Sequence, residues 1–260
     1  MNPIVLAPTT LMQAPPLRYI AAAAEAGYDG IGLRLYPSPG MPFFPIVGDP
    51  DMMREVRRAL ADADLQVFDV FTCYLLPEMD FDAMKRAHEF GAELGAKYAL
   101  VIGDDDDWGR MADHFGRLCD NAAEFGLVCA LEAPVNRRTL NTLELNLKLI
   151  EDSGRHAALS IDPVQYIRAG HTFVQLQGFA AELMPYSQIG DSPSLSPGEP
   201  YCMPGDGIVP LAELLDLLPP DAPLSLEYHQ RDESYSYEAW AKLVLDGTRA
   251  FLQRYYDSKG

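Results

Sequence analysis

The sequence predicts an α/β protein, a single (β/α)8 barrel spanning residues 1–260, and three observations carry that expectation. The chain has 260 residues, the size of one such barrel and enough to bury a substantial core. Strand and helix signals alternate along its whole length, with no linker, repeat or low-complexity segment between them. Four short apolar segments, LVCALEAP (127–134), LSIDPVQYIRAG (159–170), PYSQIGD (185–191) and PLSLEYH (223–229), each carry an oxygen-bearing side chain near the C-terminal end: Glu132, Asp162, Gln188 and Glu227. Each interval between these residues holds one helix and one return strand, so a closed parallel sheet would gather all four at one mouth.

In chain order, residues 4–7 form a short apolar strand, and Pro15 and Pro16 open an alanine-rich helix that Gly27 ends. The second strand is DGIGLRL (29–35): Ile31, Leu33 and Leu35 face the helices, while Gly30, Gly32 and Arg34 face inward, with Arg34 at the mouth. Residues 36–48 are too rich in proline, glycine and aromatics for regular structure and form a long loop. Asp49 caps a helix to about Asp64; strand three covers 67–72; Pro77 opens a helix ending near Gly95; strand four covers 98–102. The DDDD run at 104–107 lacks the alternate spacing and glycine of a calcium loop, so these aspartates are expected to cap the helix that starts near Trp108. A helix over 141–152, strand six at 159–162, its helix to Gly170 and strand seven follow. A second long loop then covers 191–208, helix seven 210–218, strand eight 223–229 and a closing helix 235–255.

Charge and composition narrow the partners. Lys and Arg total 20 against 38 Asp and Glu, a net charge of -18 that repels nucleic-acid backbones and anionic membranes alike. No apolar run approaches the roughly 18 residues needed to span a bilayer, and no signal-peptide pattern opens the chain. Cys73, Cys119, Cys129 and Cys202 form no CxxC pair and read as reduced packing residues, so the expected location is the cytoplasm.

Three inward carboxylates repel one another unless a cation neutralises them, which is the physical case for a divalent metal among Glu132, Asp162, Gln188 and Glu227. An all-oxygen set suits Mg²⁺ or Mn²⁺. The alternative is that the acids are solvated or pair with Arg34, Arg137 and Arg168. Ala130, Ser160 and Ser225, two positions before three of the acids, are small where barrel interiors favour bulky side chains, and are expected to floor a ligand cavity. Phosphate-binding glycine loops and clustered cations are lacking, so a neutral sugar or a monocarboxylate is the expected ligand, not a sugar phosphate.

The segments ALEAP, SIDPVQYIRAG, SQIGD, MPGDGIVPL and LSLEY, with GYDGIGLRL and GAKYALVIG before them, resemble the xylose isomerase-like TIM barrels, a family of sugar phosphate isomerases and epimerases. The resemblance implies one divalent metal held by Glu132, Asp162, Gln188 and Glu227, with Gln188 where the family has histidine. Gln165 stands where the family commonly has a second histidine and cannot act as acid or base. These glutamines favour the harder ions. The resemblance further implies Glu132 and Glu227 as the acid/base pair around an enediolate. Arg34, Gln165 and His229 are expected to contact a small carbohydrate or keto-acid substrate, and His229, two residues beyond Glu227 on the same face, is a proton-transfer candidate or else a satisfied surface histidine. It leaves two enzyme classes open, an isomerase or epimerase and a dehydratase of the dehydroshikimate or keto-inositol type, beside a barrel that only binds its ligand. Apurinic endonucleases share the fold, but five histidines and a strongly acidic chain do not fit a trinuclear zinc site in a DNA groove. His88, His114 and His156 receive no role, and His171 is expected to be exposed. The two long loops are expected to close over the mouth through Phe43, Phe44 and Tyr201, or alternatively to bury a homo-oligomer interface.

Overall fold

The structure, a computed structural model, describes residues 2–260. Its strands are β1 (Ile4–Leu6), β2 (Gly30–Arg34), β3 (Val67–Leu75), β4 (Tyr98–Gly103), β5 (Val128–Glu132), β6 (Ala158–Ile161), β7 (Tyr186–Ile189) and β8 (Leu224–Leu226). Each pairs in parallel with the next, and β8 pairs back to β1, so the sheet is a closed barrel. The main helices are α1 (Pro16–Ala26), α2 (Pro50–Ala63), α3 (Phe81–Glu93), α4 (Trp108–Ala123), α5 (Leu143–Ser153), α6 (Pro163–Arg168), α7 (Leu211–Leu215) and α8 (Tyr237–Asp257). The expected order of eight strands and eight helices is therefore present, in one domain.

The boundaries are set by local chemistry. Asp49, Asp80, Asp107, Thr142, Asp162 and Ser236 cap the helices that follow them, each accepting from backbone N–H groups of the first turn. Thus α3 starts at Phe81 rather than Pro77, and the aspartate run does what was expected of it: Asp107 caps α4 while the buried Asp105 takes a two-pronged ion pair from Arg110 at 2.7 Å. Strand β3 extends to Leu75, beyond the expected end at Thr72, through an irregularity between Val70 and Cys73 that alternation cannot reveal. A 3₁₀ turn, Phe173–Leu176, follows α6.

Ile31, Leu33 and Leu35 belong to the main core between barrel and helices, as alternation requires. The barrel interior is filled differently from the sequence expectation. Ala130 and Ala158 pack against the ring of Tyr186, which meets Phe68 edge-on at 5.0 Å and Tyr98 at 4.9 Å. Ala130 therefore makes room for aromatic rings and does not floor a ligand cavity. Above that layer, Ala7, Phe71 and Leu100 form a second interior cluster. Gly32 is required by a close approach: a Cβ there would lie 2.4 Å from Asp69 Oδ1 and 2.9 Å from the Pro8 ring. Cys73, Cys119 and Cys129 are buried, whereas Cys202 is only half-buried on the loop before α7. Among the described residues no helix is long and apolar enough to cross a membrane.

Candidate functional site

The strand ends of β5, β6 and β7, and the residue just past β8, bring the four oxygen-bearing side chains to one mouth. Glu132 closes β5, and its Oε2 accepts from Gln188 Nε2 at 3.3 Å. Asp162 caps α6: Oδ1 accepts from the Val164 and Gln165 backbone N–H groups at 2.8 and 3.2 Å, and Oδ2 accepts from the Tyr201 hydroxyl. The turn Asp162-Pro163 fixes this, because proline at the first helical position lacks the N–H that a cap would otherwise satisfy. Glu227 follows β8 and its Oε1 lies 3.0 Å from His229 Nε2.

Electrostatics tie the acids together. Burial first, then the charges of Glu227 and Asp162, hold the Glu132 carboxyl well above the ordinary carboxylate range. Burial and Glu227 likewise push Asp162 up to about 7, against the pull of the Tyr201 hydroxyl and two backbone N–H groups. Burial lowers His229, but its hydrogen bond to Glu227 and that residue's charge outweigh it, so the imidazole sits above its usual value of 6.5. Gln188 is 1% exposed and its Oε1 has no partner in the protein.

A cavity of about 120 Å³ opens between these groups, walled by Glu132, Asp162, Gln165, Glu227, Tyr74 and Arg137. The structure thus brings three acids and Gln165 onto one wall. Gln188 meets the site through Glu132 and does not line the cavity. Arg34 opens on a separate space of about 40 Å³ beside Tyr19 and Phe44; its Nη1 donates to the Pro42 carbonyl at 3.0 Å, while Nε and Nη2 are buried without partners. Gln165 is a bridge: its Oε1 accepts from Val135 N–H at 3.1 Å and its Nε2 donates to the Tyr201 hydroxyl at 2.8 Å. His171, expected to be exposed, has a side chain only 9% exposed and packs on Tyr166 at 4.8 Å.

Tyr201, expected only as part of a lid or an interface, also makes a polar contact within the site. Its hydroxyl reaches Asp162 inside the site, and its ring lies parallel to His229 with centroids 6.0 Å apart. Its loop is knotted: the buried Asp191 carboxylate accepts from the N–H groups of Ser192, Gly205, Gly207 and Val209 at 2.7–3.0 Å. Arg168 adds bonds to Ser192 Oγ and the Glu199 carbonyl, each 2.7 Å. Tyr74 was not foreseen as a site residue, and Arg137, expected as an ion-pair partner of the site acids, lies 5.0 Å from the Tyr74 ring centroid and donates to Asp104 at 3.1 Å instead.

The donor set fits a hard divalent ion in chemistry: carboxyls at one mouth whose proton affinities are raised by burial and by the charge of Glu227, and a buried amide oxygen with no partner. Among the described residues no group of three or more His, Cys, Asp and Glu side chains closes around one point. Gln188 and Tyr201 hold Glu132 and Asp162 by hydrogen bonds instead.

A family model described as a xylose isomerase-like TIM barrel matches residues 20–253. A search of curated proteins finds no match. Solved structures with the same fold include the IolI protein with a binding zinc atom (TM-score 0.75, 17% identity, covering 98% of this chain and 99% of that one). D-allulose 3-epimerase from Methylomonas sp. in complex with D-allulose superposes at TM-score 0.72 with 17% identity, covering 98% of this chain and 97% of that one. The probable 3-DHS dehydratase AsbF from Bacillus anthracis gives 0.68 at 14% identity, with 97% and 99% covered. At these identities the likeness is one of fold.

Proposed function

Because the chain belongs to the xylose isomerase-like TIM-barrel family, we propose that it is a divalent-metal-dependent isomerase or epimerase of a sugar, keto-polyol or sugar acid. The observation that carries this reading is the set of buried acids, Glu132 and Asp162 raised by burial and then by the charge of Glu227, around a cavity wide enough for a small polar ligand. Glu132, Asp162, Gln188 and Glu227 would hold Mn²⁺ or Mg²⁺, which when bound polarises the substrate carbonyl and disperses the charge that develops as the neighbouring carbon loses its proton.

The chain's own groups do the rest. Glu132 and Glu227 take and return the proton at the carbon next to the carbonyl; return to the adjacent carbon isomerises, and return to the opposite face epimerises. His229, 3.0 Å from Glu227, moves protons to and from that carboxylate. Gln165 and Tyr201 fix Asp162, and Phe71 and Tyr74 keep the wall of the cavity partly dry. Arg137 is the guanidinium on the cavity wall that would meet a single substrate carboxylate, whereas Arg34 opens on the separate space beside Tyr19.

A second reading is a dehydratase, favoured by one feature: the imidazole of His229 is held above its usual proton affinity beside Glu227, placing a proton donor where a β-hydroxyl could leave as water. Incubation in D₂O with ketoses and keto acids separates the reactions. Deuterium in an isomeric product is expected; loss of water shows the lyase, and absence of both exchange and elimination leaves a binding protein. Elemental analysis and calorimetry should find about one ion per chain, removed by Glu227→Ala. Unchanged metal content in that variant rejects the site.

A further inference from the structure

Beside the mouth lies a larger groove of about 550 Å³, built by the loop after β8 and the turn before α1. Its walls include Thr9, Gln13, His229, Arg231, Tyr235 and Tyr237. Thr9 lines both this groove and the mouth cavity. It is 3% exposed, and its Oγ1 has no hydrogen-bond partner in the protein. A buried hydroxyl without a partner is destabilising unless water or ligand satisfies it, and here it sits at the junction of two spaces.

The walls of the groove are fixed in place. Gln230 N–H donates to the Thr10 carbonyl at 3.0 Å, and the Gln230 side chain ties back to the Tyr235 carbonyl at 2.8 Å. The Tyr237 hydroxyl donates to the Gln13 carbonyl at 3.1 Å. Tyr235 meets Trp240 edge-on at 5.6 Å yet remains 40% exposed. Charge is balanced: Arg18 is paired with Glu238 at 2.6 Å, and Arg231 shares the lining with Glu233.

We propose that the cavity and the groove form one substrate trench, and that the substrate is a ketose or keto-polyol bearing a second, uncharged sugar ring. This rests on the isomerase or epimerase reading above and names its substrate class. Size supports it: about 120 Å³ is small against the roughly 300–1,000 Å³ of ligand pockets, whereas the groove's 550 Å³ lies inside that range. Chemistry supports it as well, since an exposed tyrosine face beside amide and hydroxyl groups suits a neutral polyol, and the balanced charges give a phosphate no cluster of cations to bind. The reacting ring occupies the cavity, the second ring rests in the groove against Tyr235, and Thr9 Oγ1 bonds to the oxygen bridging them.

Titration calorimetry on the Mn²⁺-loaded protein compares fructose with three disaccharides that carry a glycosyl ring on fructose, turanose (through O3), lactulose (through O4) and isomaltulose (through O6). At least one disaccharide should bind tenfold or more tighter than fructose, and Tyr235→Ala should reduce its affinity to that of fructose. Equal affinities for all four sugars, or a preference that survives Tyr235→Ala, overturn the trench while deuterium exchange into fructose leaves the isomerase reading standing. A Tyr235→Ala protein of lower mass in solution with its disaccharide affinity intact marks the groove as an interface between copies and also overturns it. No binding by any sugar together with no exchange in D₂O removes both readings.

Discussion

The two halves of the barrel mouth treat their buried carboxylates in opposite ways. On the side of β5 to β8, Asp162 accepts three hydrogen bonds, Asp191 accepts four, and Gln165 and Tyr201 lock onto one another. On the side of β1 to β3, both oxygens of the fully buried Asp69, two donors of Arg34 and the hydroxyl of Thr9 have no partner in the protein. The first half still leaves Gln188 Oε1, Ser160 Oγ and Arg168 Nε without partners, but Asp162 and the loop carrying Tyr201 are held in one geometry, which is what a reaction centre requires. A half that leaves its buried carboxylate unpaired is stabilised when something else fills that need, which is what a binding surface requires. The difference is open to test at both ends.

The largest effect is expected where the pairing is densest. Asp191→Ala removes four charge-assisted bonds at once and frees the loop that carries Tyr201. The loss should be about 3–5 kcal/mol of stability, together with a fall in turnover of about a hundredfold as Asp162 loses its hydroxyl partner. Urea unfolding and steady-state kinetics check it. A stable, fully active variant would mean that the paired half is not what holds the centre.

On the other half the expected effect has the opposite sign. Burial, then the charge of Glu227, raises the Asp69 carboxyl from its ordinary 3.8 to about 7. The folded state therefore holds this proton more tightly than the unfolded chain does. The resulting stability is fully present below about pH 4 and is lost as pH rises through about 7, where the carboxylate must ionise without a partner. Asp69→Asn removes that liability, so it should add about 2–4 kcal/mol at pH 8 and little at pH 4. Urea unfolding of metal-free protein at the two pH values reads the difference. A gain of equal size at both would show that ionisation is not its cause.

The paired half was the more legible one in the sequence. Asp162 and Glu132 stand at the ends of alternating apolar strands, and proline after Asp162 announces a cap, so both position and direction follow from period-two alternation. The barrel order followed from the same alternation. Tyr201 was legible only as an aromatic in a loop, because its reach to Asp162 depends on the knot around Asp191, and that knot joins residues 14 to 18 positions apart with no periodicity. The interior was misread at Ala130 because a small residue signals space without saying whether a ligand or a neighbour's ring, here Tyr186, fills it. The irregularity in β3 that carries Phe71 and Tyr74 to the mouth leaves no mark in composition. His171 looked like a solvent-facing loop residue because its packing on Tyr166 is set by the turn after α6, which sequence spacing does not show.

The smallest expected effect sharpens the comparison at its loosest point, the loop over residues 36–48. Ser38 Oγ donates to the Thr72 carbonyl at 3.0 Å, Arg34 donates to Pro42, and Ile46 is buried, but Phe44 is 36% exposed at the rim. This loop lacks any counterpart to the Asp191 knot, so it is the one expected to move when substrate arrives, and Met41 already borders the cavity. Phe43→Ala with Phe44→Ala should lower turnover about three- to tenfold, with mass in solution unchanged and stability within about 1 kcal/mol of the parent, because the rings are only partly buried. If the double variant instead separates into a smaller species at full activity per chain, the aromatics belong to a contact between copies. The unpaired half would then open directly to solvent, and exclusion of water from the reacting carbon would fall to Tyr201 and the paired half alone.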